Sequence, residues 1–229
     1  MHCNLRLGAR AVSLAVVGEM KNQLPVPENG TPKRPEQSAE TVNSQIPSSR
    51  GFWALIVTQF QGALFVCNHV SFVDGPLLMA STDRSLRFLI EKSYYELRWL
   101  NPFARILGLI PVSPTQSPRE LIGSLRMASD AIRAGHVVCI FAEGSITRTG
   151  ELLEFRRGFE HIMKNVDAPI VPIALVGVWG SIFSFEGGHF FWKWPRKFPY
   201  PVTVRFGKPL PPNATADETR AAVDELING

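Results

Sequence analysis

The amino-acid sequence predicts an α/β fold, a single domain with a mostly parallel, mixed sheet and helices on both of its faces. Strand and helix signals alternate along the chain from about residue 62, and several strand segments are continuous apolar runs. That alternation is typical of a sheet whose strands are joined by helices. With 229 residues, 45% of them apolar, the chain is also long enough to bury the core of one domain.

The folded domain is predicted to begin after a long polar segment. Residues 23–50 are rich in Pro, Ser, Gln and Glu and contain few large apolar side chains. Such a composition cannot offset the entropy that is lost when a chain becomes ordered. We therefore expect a disordered N-terminal tail over residues 1–50 and one domain over residues 51–229.

The predicted strands are short runs of apolar and β-branched residues. In chain order they are GALFVC (62–67), LRFLIE (86–91), LIPVS (109–113), HVVCIFAE (136–143), PIVPIALVGV (169–178) and VTVRFG (202–207). The predicted helices begin near Asp74 and then cover about residues 94–107, 118–135, 158–166 and 216–227. Pro76 is compatible with the first turn of its helix, and Gly135 is a typical helix stop.

Composition limits the partners that this chain can have. The formal net charge is +4 and the isoelectric point is about 9.1, which favours anionic partners. Lys and Arg form no long run and no nucleic-acid-binding motif is present, so we expect no nucleic-acid partner. No run of about 18 apolar residues occurs, so a membrane contact would be peripheral.

The three cysteines, Cys3, Cys67 and Cys139, do not have the spacing of metal ligands. Cys67 and Cys139 lie inside apolar runs, where a free thiol behaves as a small hydrophobic group. We expect reduced core cysteines and no metal site.

A histidine and an aspartate follow the first predicted strand. In "CNHVSFVDGPLL" (67–78), His69 comes just after the strand and Asp74 comes at the start of a helix. An ionised Asp74 that bonds one ring nitrogen of His69 would leave the other nitrogen as a base, with a substrate hydroxyl as the nucleophile. Alternatively, Asp74 is only a helix cap and His69 a loop residue. A metal site of His69, Asp74 and Glu143 is disfavoured, because no second histidine has ligand spacing.

A second polar cluster follows a later buried strand. "FAEGSITRTG" (141–150) contains Glu143, Gly144, Ser145 and Arg148, and Arg156 and Arg157 precede the next predicted helix. Ligands of such sheets bind beyond the carboxyl ends of the strands, so both clusters are expected at one crevice. Arginines near a helix N-terminus suit a phosphate group, although the same residues also occur on ordinary solvated surfaces.

Four motifs occur in order along residues 61–212. They are Asn68-His69 with Asp74; Gly108, Ile110 and Val112; Phe141–Ser145 followed by Phe155–Gly158; and Val171-Pro172-Ile173. Together they resemble the glycerophospholipid acyltransferases, typified by lysophosphatidic acid acyltransferase. Two positions depart from the family pattern, since Ala142 replaces a proline and Pro114 stands where an arginine is usual, with Arg119 as its candidate replacement.

The resemblance implies a glycerolipid acyltransferase-like fold and acyl transfer from a thioester to the hydroxyl of a lysophospholipid. The donor would be acyl-carrier protein or coenzyme A, and no metal or redox cofactor is implied. His69 and Asp74 would be catalytic. The substrate-binding residues would be Asn68, Arg119, Glu143, Gly144, Ser145, Arg148, Arg156 and Arg157.

The sequence "EGSITRTG" (143–150) is similar to the acyltransferase part of bifunctional enzymes that reacylate lysophosphatidylethanolamine. The acceptor would thus be 1-acylglycerol-3-phosphate or 2-acylglycerophosphoethanolamine. Two other functions fit the same residues: a hydrolase that uses the His-Asp pair on water, and a lipid-binding or scaffold module with a lapsed site. Residues 1–50 match no motif of the family, which favours a fragment or an altered gene start.

The protein is expected at the cytoplasmic face of a membrane, as a peripheral protein. Residues 179–200 place aromatic side chains beside Lys193, Arg196 and Lys197; the rings in question are Trp179, Phe183, Phe185, Phe190, Phe191, Trp192 and Trp194. Aromatic rings beside cations suit the headgroup layer of an anionic bilayer. This segment is the membrane contact that the sequence predicts, the alternative being that its rings fill the core or a subunit contact.

Overall fold

A computed structural model gives the fold for residues 62–113, 117–188 and 201–229, together with the backbone of two N-terminal strands. The described residues form one eight-stranded sheet in the order β1-β2-β8-β7-β3-β6-β4-β5. The strands are β1 (His2–Leu7), β2 (Arg10–Val16), β3 (Ala63–Cys67), β4 (Leu86–Glu91), β5 (Ile110–Val112), β6 (Val137–Phe141), β7 (Ile170–Val176) and β8 (Val202–Phe206). Neighbouring strands are parallel except in the pairs β1–β2 and β7–β8, which confirms the predicted mostly parallel, mixed sheet.

Six α-helices occur in the described residues: α1 (Asp74–Ala80), α2 (Lys92–Tyr95), α3 (Asn101–Ile106), α4 (Pro118–Arg133), α5 (Gly158–Met163) and α6 (Ala216–Asn228). The two longest, α4 and α6, each begin with a capping box, Ser117 with Glu120 and Thr215 with Glu218. None of the helices in these residues is long and apolar enough to cross a membrane.

Apolar side chains cover both faces of the sheet. In β3, Leu64 and Val66 belong to one buried cluster, whereas Phe65 belongs to the other. Helices α4, α5 and α6 contribute to the first cluster and α1 contributes Leu78 to the second, so helices lie on both faces as predicted. All five residues of β3 are buried, which is expected for the central strand of a sheet covered on both sides.

The two described cysteines, Cys67 and Cys139, are free thiols buried in the second cluster. Burial raises the pKa of both thiols well above the usual range, because the charged thiolate is disfavoured away from water. They are core residues, as the sequence predicts.

The helix predicted over residues 94–107 is in fact two short helices, α2 and α3, with turns between them. Pro102 accounts for the break, because proline has no N–H to donate and its ring clashes with the carbonyl of the preceding turn. The helix predicted over residues 158–166 stops at Met163, and Asn165 takes a left-handed backbone conformation with φ 62°. Of the predicted tail over residues 1–50, the strands β1 and β2 are described and the remainder lies outside the described residues, so this boundary stays a prediction.

We predict that Gly62→Ala destabilises the protein, because the start of β3 lies tightly against the end of α4. A Cβ atom at this buried position would be 2.1 Å from the carbonyl oxygen of Ile132. Forced overpacking of this kind typically costs about 1–3 kcal/mol. Urea unfolding of the variant measures this loss.

Gly123→Ala is the matched control. Gly123 lies in the middle of α4, and a Cβ there would have no neighbour within 4 Å. Alanine favours a helix interior over glycine by about 0.5–1 kcal/mol, so this variant should be slightly more stable. Equal stability of the two variants would contradict the close approach at Gly62.

Candidate active site

The turn after β3 is organised by the carboxylate of Asp74. Its Oδ2 atom accepts hydrogen bonds from the backbone N–H groups of Val70 at 2.7 Å and Ser71 at 2.8 Å. Its Oδ1 atom accepts from the hydroxyl of Ser71 at 2.5 Å. Asp74 is the first residue of α1, but the N–H groups that it accepts from precede the helix, so it is not simply a helix cap.

The same carboxylate holds the catalytic candidate His69. The Nδ1 atom of His69 is 2.8 Å from Oδ2 of Asp74, which is completely buried. An ionised carboxylate only accepts hydrogen bonds, so the neutral tautomer that fits this contact has its proton on Nδ1 and its lone pair on Nε2. The side chain of His69 is 21% exposed, so a substrate can reach it. The structure therefore favours an oriented base over two unrelated loop residues.

The ring of His69 is also held by stacking. It lies on the ring of Phe141, the last residue of β6, with centroids 4.1 Å apart and planes 13° apart. Phe141 stacks in turn with Phe88 of β4 at 6.0 Å. The imidazole is thus fixed on one side by a carboxylate and on one face by aromatic carbon.

Glu143 joins the two loops that the sequence places at one edge of the sheet. Its Oε1 accepts from the backbone N–H of His69 at 2.6 Å, and its Oε2 accepts from the N–H of Leu153 at 2.9 Å. In the opposite direction, the N–H of Thr147 donates to the carbonyl of His69 at 2.9 Å. The loops of His69 and Glu143 therefore meet at one edge of the sheet, as the sequence predicts.

Glu143 is 4% exposed, and burial raises its pKa above the usual range of a glutamate, against the opposing effect of its backbone hydrogen bonds. His69 turns its backbone N–H, rather than its ring, towards this carboxylate. The side chains of His69, Asp74 and Glu143 therefore do not converge as metal ligands, and no other cluster of metal-binding groups occurs in the described residues.

Asn68, predicted to bind substrate, is buried and bonded to the backbone of β7. Its Oδ1 accepts from the N–H of Leu175 at 2.7 Å, and its Nδ2 donates to the carbonyl of Leu175 at 3.1 Å. The side chain thereby continues the β3–β7 ladder past the end of β3. This contact is structural, and the sequence did not predict it.

Of the remaining predicted residues, Gly144, Ser145 and Arg156 lie together at the loop after β6. Gly144 has φ 73°, and a Cβ there would be 2.6 Å from Nε of Arg156, so the arginine side chain lies directly against the glycine. Ser145 and Arg156 are exposed. A larger residue at position 144 would displace the guanidinium group.

The other three predicted cations are exposed. Arg148 lies over the ring of Phe185, 5.0 Å from its centroid, and Arg157 directly precedes α5. Arg119 is in the first turn of α4, after β5, which is three strands from β3 in the sheet and thus about 14 Å away. Arg148 and Arg156 belong to the loops around Glu143, whereas Arg119 follows β5, the last strand at that side of the sheet.

Three residues that the sequence did not indicate also shape the site: Ser71, Thr147 and Arg220. Arg220 of α6 donates to the carbonyls of Leu152 and Leu153, each at 3.0 Å, and so holds the segment that bonds Glu143. Within an amphipathic helix such an arginine is indistinguishable from a solvated one. A cleft of about 460 Å³ lies beside it, lined by Glu143, Leu152, Trp179, Arg220 and Asp224 among others, and the ring of His69 is not among its walls.

Comparison with known proteins identifies the family. A family model described as Acyltransferase matches residues 54–176, which is more than half of the chain. The chain belongs to the acyltransferase family. The matched range contains His69, Asp74 and Glu143, so the organised turn and its bridge lie within the part that defines this family.

Plant acyltransferases are among the relatives whose sequences match this chain. The 1-acyl-sn-glycerol-3-phosphate acyltransferase of Cocos nucifera is 29% identical over 171 residues, which are 72% of this chain and 51% of that protein. The protein of the same name from Limnanthes douglasii is 28% identical over 166 residues, 72% of this chain and 55% of that protein. The chain thus spans about half the length of these relatives.

The fold of this acyltransferase-family chain is similar to a solved structure. The 1-acyl-sn-glycerophosphate (LPA) acyltransferase PlsC from Thermotoga maritima superposes with a TM-score of 0.55 at 20% sequence identity. The similarity covers 72% of this chain and 63% of that one. It supports the predicted glycerolipid acyltransferase-like α/β fold.

We predict that Glu143→Gln destabilises the protein by about 1–3 kcal/mol. The amide presents an N–H₂ group where one of two buried backbone N–H groups needs an acceptor. Glu154→Gln, an exposed carboxylate on the following segment, is the control and should change the free energy of unfolding by less than about 0.5 kcal/mol. Urea unfolding measures both.

The same comparison has a predicted pH dependence. Because the pKa of Glu143 is raised in the folded protein, its contribution to stability is complete below the unfolded pKa of about 4.3 and is lost as pH rises through the folded pKa. The deficit of the Gln variant should therefore shrink as pH rises from about 4 towards neutrality. A deficit that grows over this range would mean that the folded protein favours the ionised carboxylate.

Proposed function

We propose that this chain is an O-acyltransferase that moves a fatty acyl group from a thioester donor to the free hydroxyl of a lysophospholipid. The observation that carries the proposal is His69, whose Nδ1 is held by Asp74 at 2.8 Å while Nε2 is left free, in a chain of the acyltransferase family. The names of the relatives favour 1-acylglycerol-3-phosphate as the acceptor. The sequence of residues 143–150 resembles enzymes that reacylate lysophosphatidylethanolamine, so 2-acylglycerophosphoethanolamine is the second acceptor to test.

In the proposed reaction, Nε2 of His69 takes the proton of the acceptor hydroxyl as its oxygen attacks the thioester carbonyl. The tetrahedral intermediate collapses by breaking the carbon–sulfur bond, and the departing thiolate takes the proton from the imidazolium. Asp74 stabilises the positive ring between these two steps. General-base catalysis of this kind typically contributes about 10²- to 10⁴-fold.

Glu143 supports this chemistry by fixing the backbone of His69. Its bonds to the N–H groups of His69 and Leu153 hold the turn at one position, which matters because small displacements of a base are costly to catalysis. The exposed guanidinium groups of Arg148 and Arg156, at the adjoining loop, are the proposed ligands of the acceptor phosphate. Arg119 is a weaker candidate because of its distance along the sheet.

The proposed donors are acyl-carrier protein and coenzyme A thioesters. Exchanging a thioester for an ester involves no change of oxidation state, and the base is a side chain, so we propose no metal or redox cofactor. The enzyme would act at the cytoplasmic face of a membrane, where its acceptor and its two-tailed product reside.

The deciding experiment incubates the purified chain with each lysophospholipid and each donor, followed by mass determination of the lipid products. A diacylated product supports the proposal and identifies acceptor and donor together. Release of free thiol without a lipid product would instead indicate a hydrolase, and binding without turnover would indicate a lipid-binding module.

We predict that His69→Ala lowers kcat at least about a hundredfold, because the proton acceptor is removed. Asp74→Asn should lose most activity as well, since an amide no longer selects the tautomer that leaves Nε2 free. The matched control is His161→Ala, an exposed histidine on α5. Near-normal transfer by a folded His69→Ala protein would contradict the mechanism.

We further predict that Arg148→Ala raises the KM for the acceptor by about tenfold and leaves the KM for the donor nearly unchanged. A lost charge-assisted hydrogen bond costs about 1.5–3 kcal/mol, and 1.4 kcal/mol is a factor of ten. Arg126→Ala, an exposed arginine of α4, is the control. A change confined to the donor's KM would move Arg148 to the donor side of the site.

A further inference from the structure

Three large apolar side chains between β4 and β5 are turned towards solvent. Trp99 is 70% exposed, Phe103 is 61% exposed and Ile106 is 82% exposed. Trp99 lies in the turn before α3, whereas Phe103 and Ile106 lie in α3, where a spacing of three residues places them on the same face. Ala104, on the opposite face, is completely buried, so α3 is anchored to the protein while this apolar stripe is left uncovered.

Two arginines flank the stripe. Arg98 and Arg105 are exposed, and neither forms an ion pair with a described residue. Nearby, Lys92 and Glu96 largely offset each other at 3.8 Å. The segment therefore has a net positive charge beside its exposed rings, an arrangement that complements a negatively charged surface rather than an apolar or basic one.

The stripe belongs to the connection between β4 and β5. This connection starts at the edge of the sheet where His69 lies and returns to the opposite edge, where Gly108 lies against Arg87 of β4. Strands β3, β6 and β4 are parallel neighbours, so the carboxyl end of β4 is at the same edge as the turn after β3. Helix α2 starts at Lys92, directly after β4, and includes the exposed Tyr94. A turn region with the exposed Leu97 then leads to Trp99. Phe72, in the His69 turn itself, is 42% exposed at that edge.

The segment predicted from the sequence as the membrane contact is less suited to that role where it is described. Trp179, Phe183 and Phe185 are only partly exposed. Trp179 lies against Gly150, where a Cβ would be 2.6 Å from its ring, and Phe185 lies beneath Arg148. Residues 189–200, which contain six further aromatic side chains, lie outside the described residues.

We propose that Trp99, Phe103 and Ile106, with Arg98 and Arg105, form the surface that docks this protein onto an anionic lipid bilayer. The indole and phenyl rings enter the headgroup layer, where amphipathic aromatic groups are favoured, and the guanidinium groups meet lipid phosphates. Docking by this face holds the protein at the bilayer that contains the proposed lysophospholipid acceptor. The role of this surface in lipid acylation rests on the proposed function, but vesicle binding tests the surface separately.

The test compares binding of the full chain and two triple variants to sedimented vesicles of phosphatidylcholine with phosphatidylglycerol. Replacing Trp99, Phe103 and Ile106 by serine should weaken binding at least about tenfold, since three apolar groups lose their contact with lipid. The matched control replaces Leu121, Ile122 and Met127 of α4, which are 38%, 51% and 53% exposed, and should bind as the unmodified chain does. Unchanged binding by the first variant, or equal loss in the control, would overturn the proposal.

The salt dependence of vesicle binding and the transfer activity of the variants provide two further tests of the proposal. Binding should weaken with added salt, and Arg98→Gln with Arg105→Gln should reduce that dependence. Transfer to acceptor embedded in vesicles should fall with binding, whereas transfer to a short-chain, monomeric acceptor should stay within about twofold. Absence of transfer to any acceptor by the unmodified chain would defeat the proposed function and leave the binding result to stand. A first variant that changes only the oligomeric state would show a subunit interface and overturn the docking surface.

Discussion

A buried carboxylate is the constraint on which the rest of this site depends. Asp74 is removed from water, and a carboxylate without partners in such a position would be strongly destabilising. The chain satisfies it with two backbone N–H groups, one hydroxyl and the ring of His69. Because all of these donors come from residues 69–71, the hydrogen bonds that stabilise the buried charge also fix the conformation of the turn. The ring of His69 is one of the hydrogen-bond donors that this buried carboxylate needs, and the same contact orients the ring.

The constraint extends from this turn to the rest of the sheet edge. Ser71 forms a bridge with Ser184, so the loop after β7 is tied to the turn after β3. Glu143 ties the loop after β6 to the same turn, and Arg220 holds the far end of that connection from α6. Four separate parts of the chain thus determine the position of one imidazole. A substitution in any of them can disturb catalysis without touching a substrate.

The sequence predicts the six strands β3 to β8 well, because they are apolar runs that must be covered on both faces. It does not predict β1 and β2, which lie in the segment expected to be a tail. It also predicts that His69 and Glu143 meet, since carboxyl ends of parallel strands share an edge. The bonds of Glu143 to the backbone and of Asn68 to Leu175 could not be predicted. A polar residue near a site is of the same type whether it binds a substrate or supports the fold, so the sequence alone does not distinguish the two roles. The exposure of Trp99, Phe103 and Ile106 was likewise hidden, since apolar residues at helical spacing ordinarily indicate a core-facing helix, and only packing distinguishes the two cases.

The long sequence separation of the contacts around β3 has a consequence for how this protein is made. β3 pairs with β6 and with β7, and Asn68 bonds a residue 107 positions further along the chain. Closing such long loops is slow and yields no site until both partners are present. During synthesis, residues 69–74 leave the ribosome early and have the partners for their local turn, but Asn68 gains its partner only after β7 has followed. The edge of the sheet around the turn of His69 is therefore assembled only when β6 and β7 are both present.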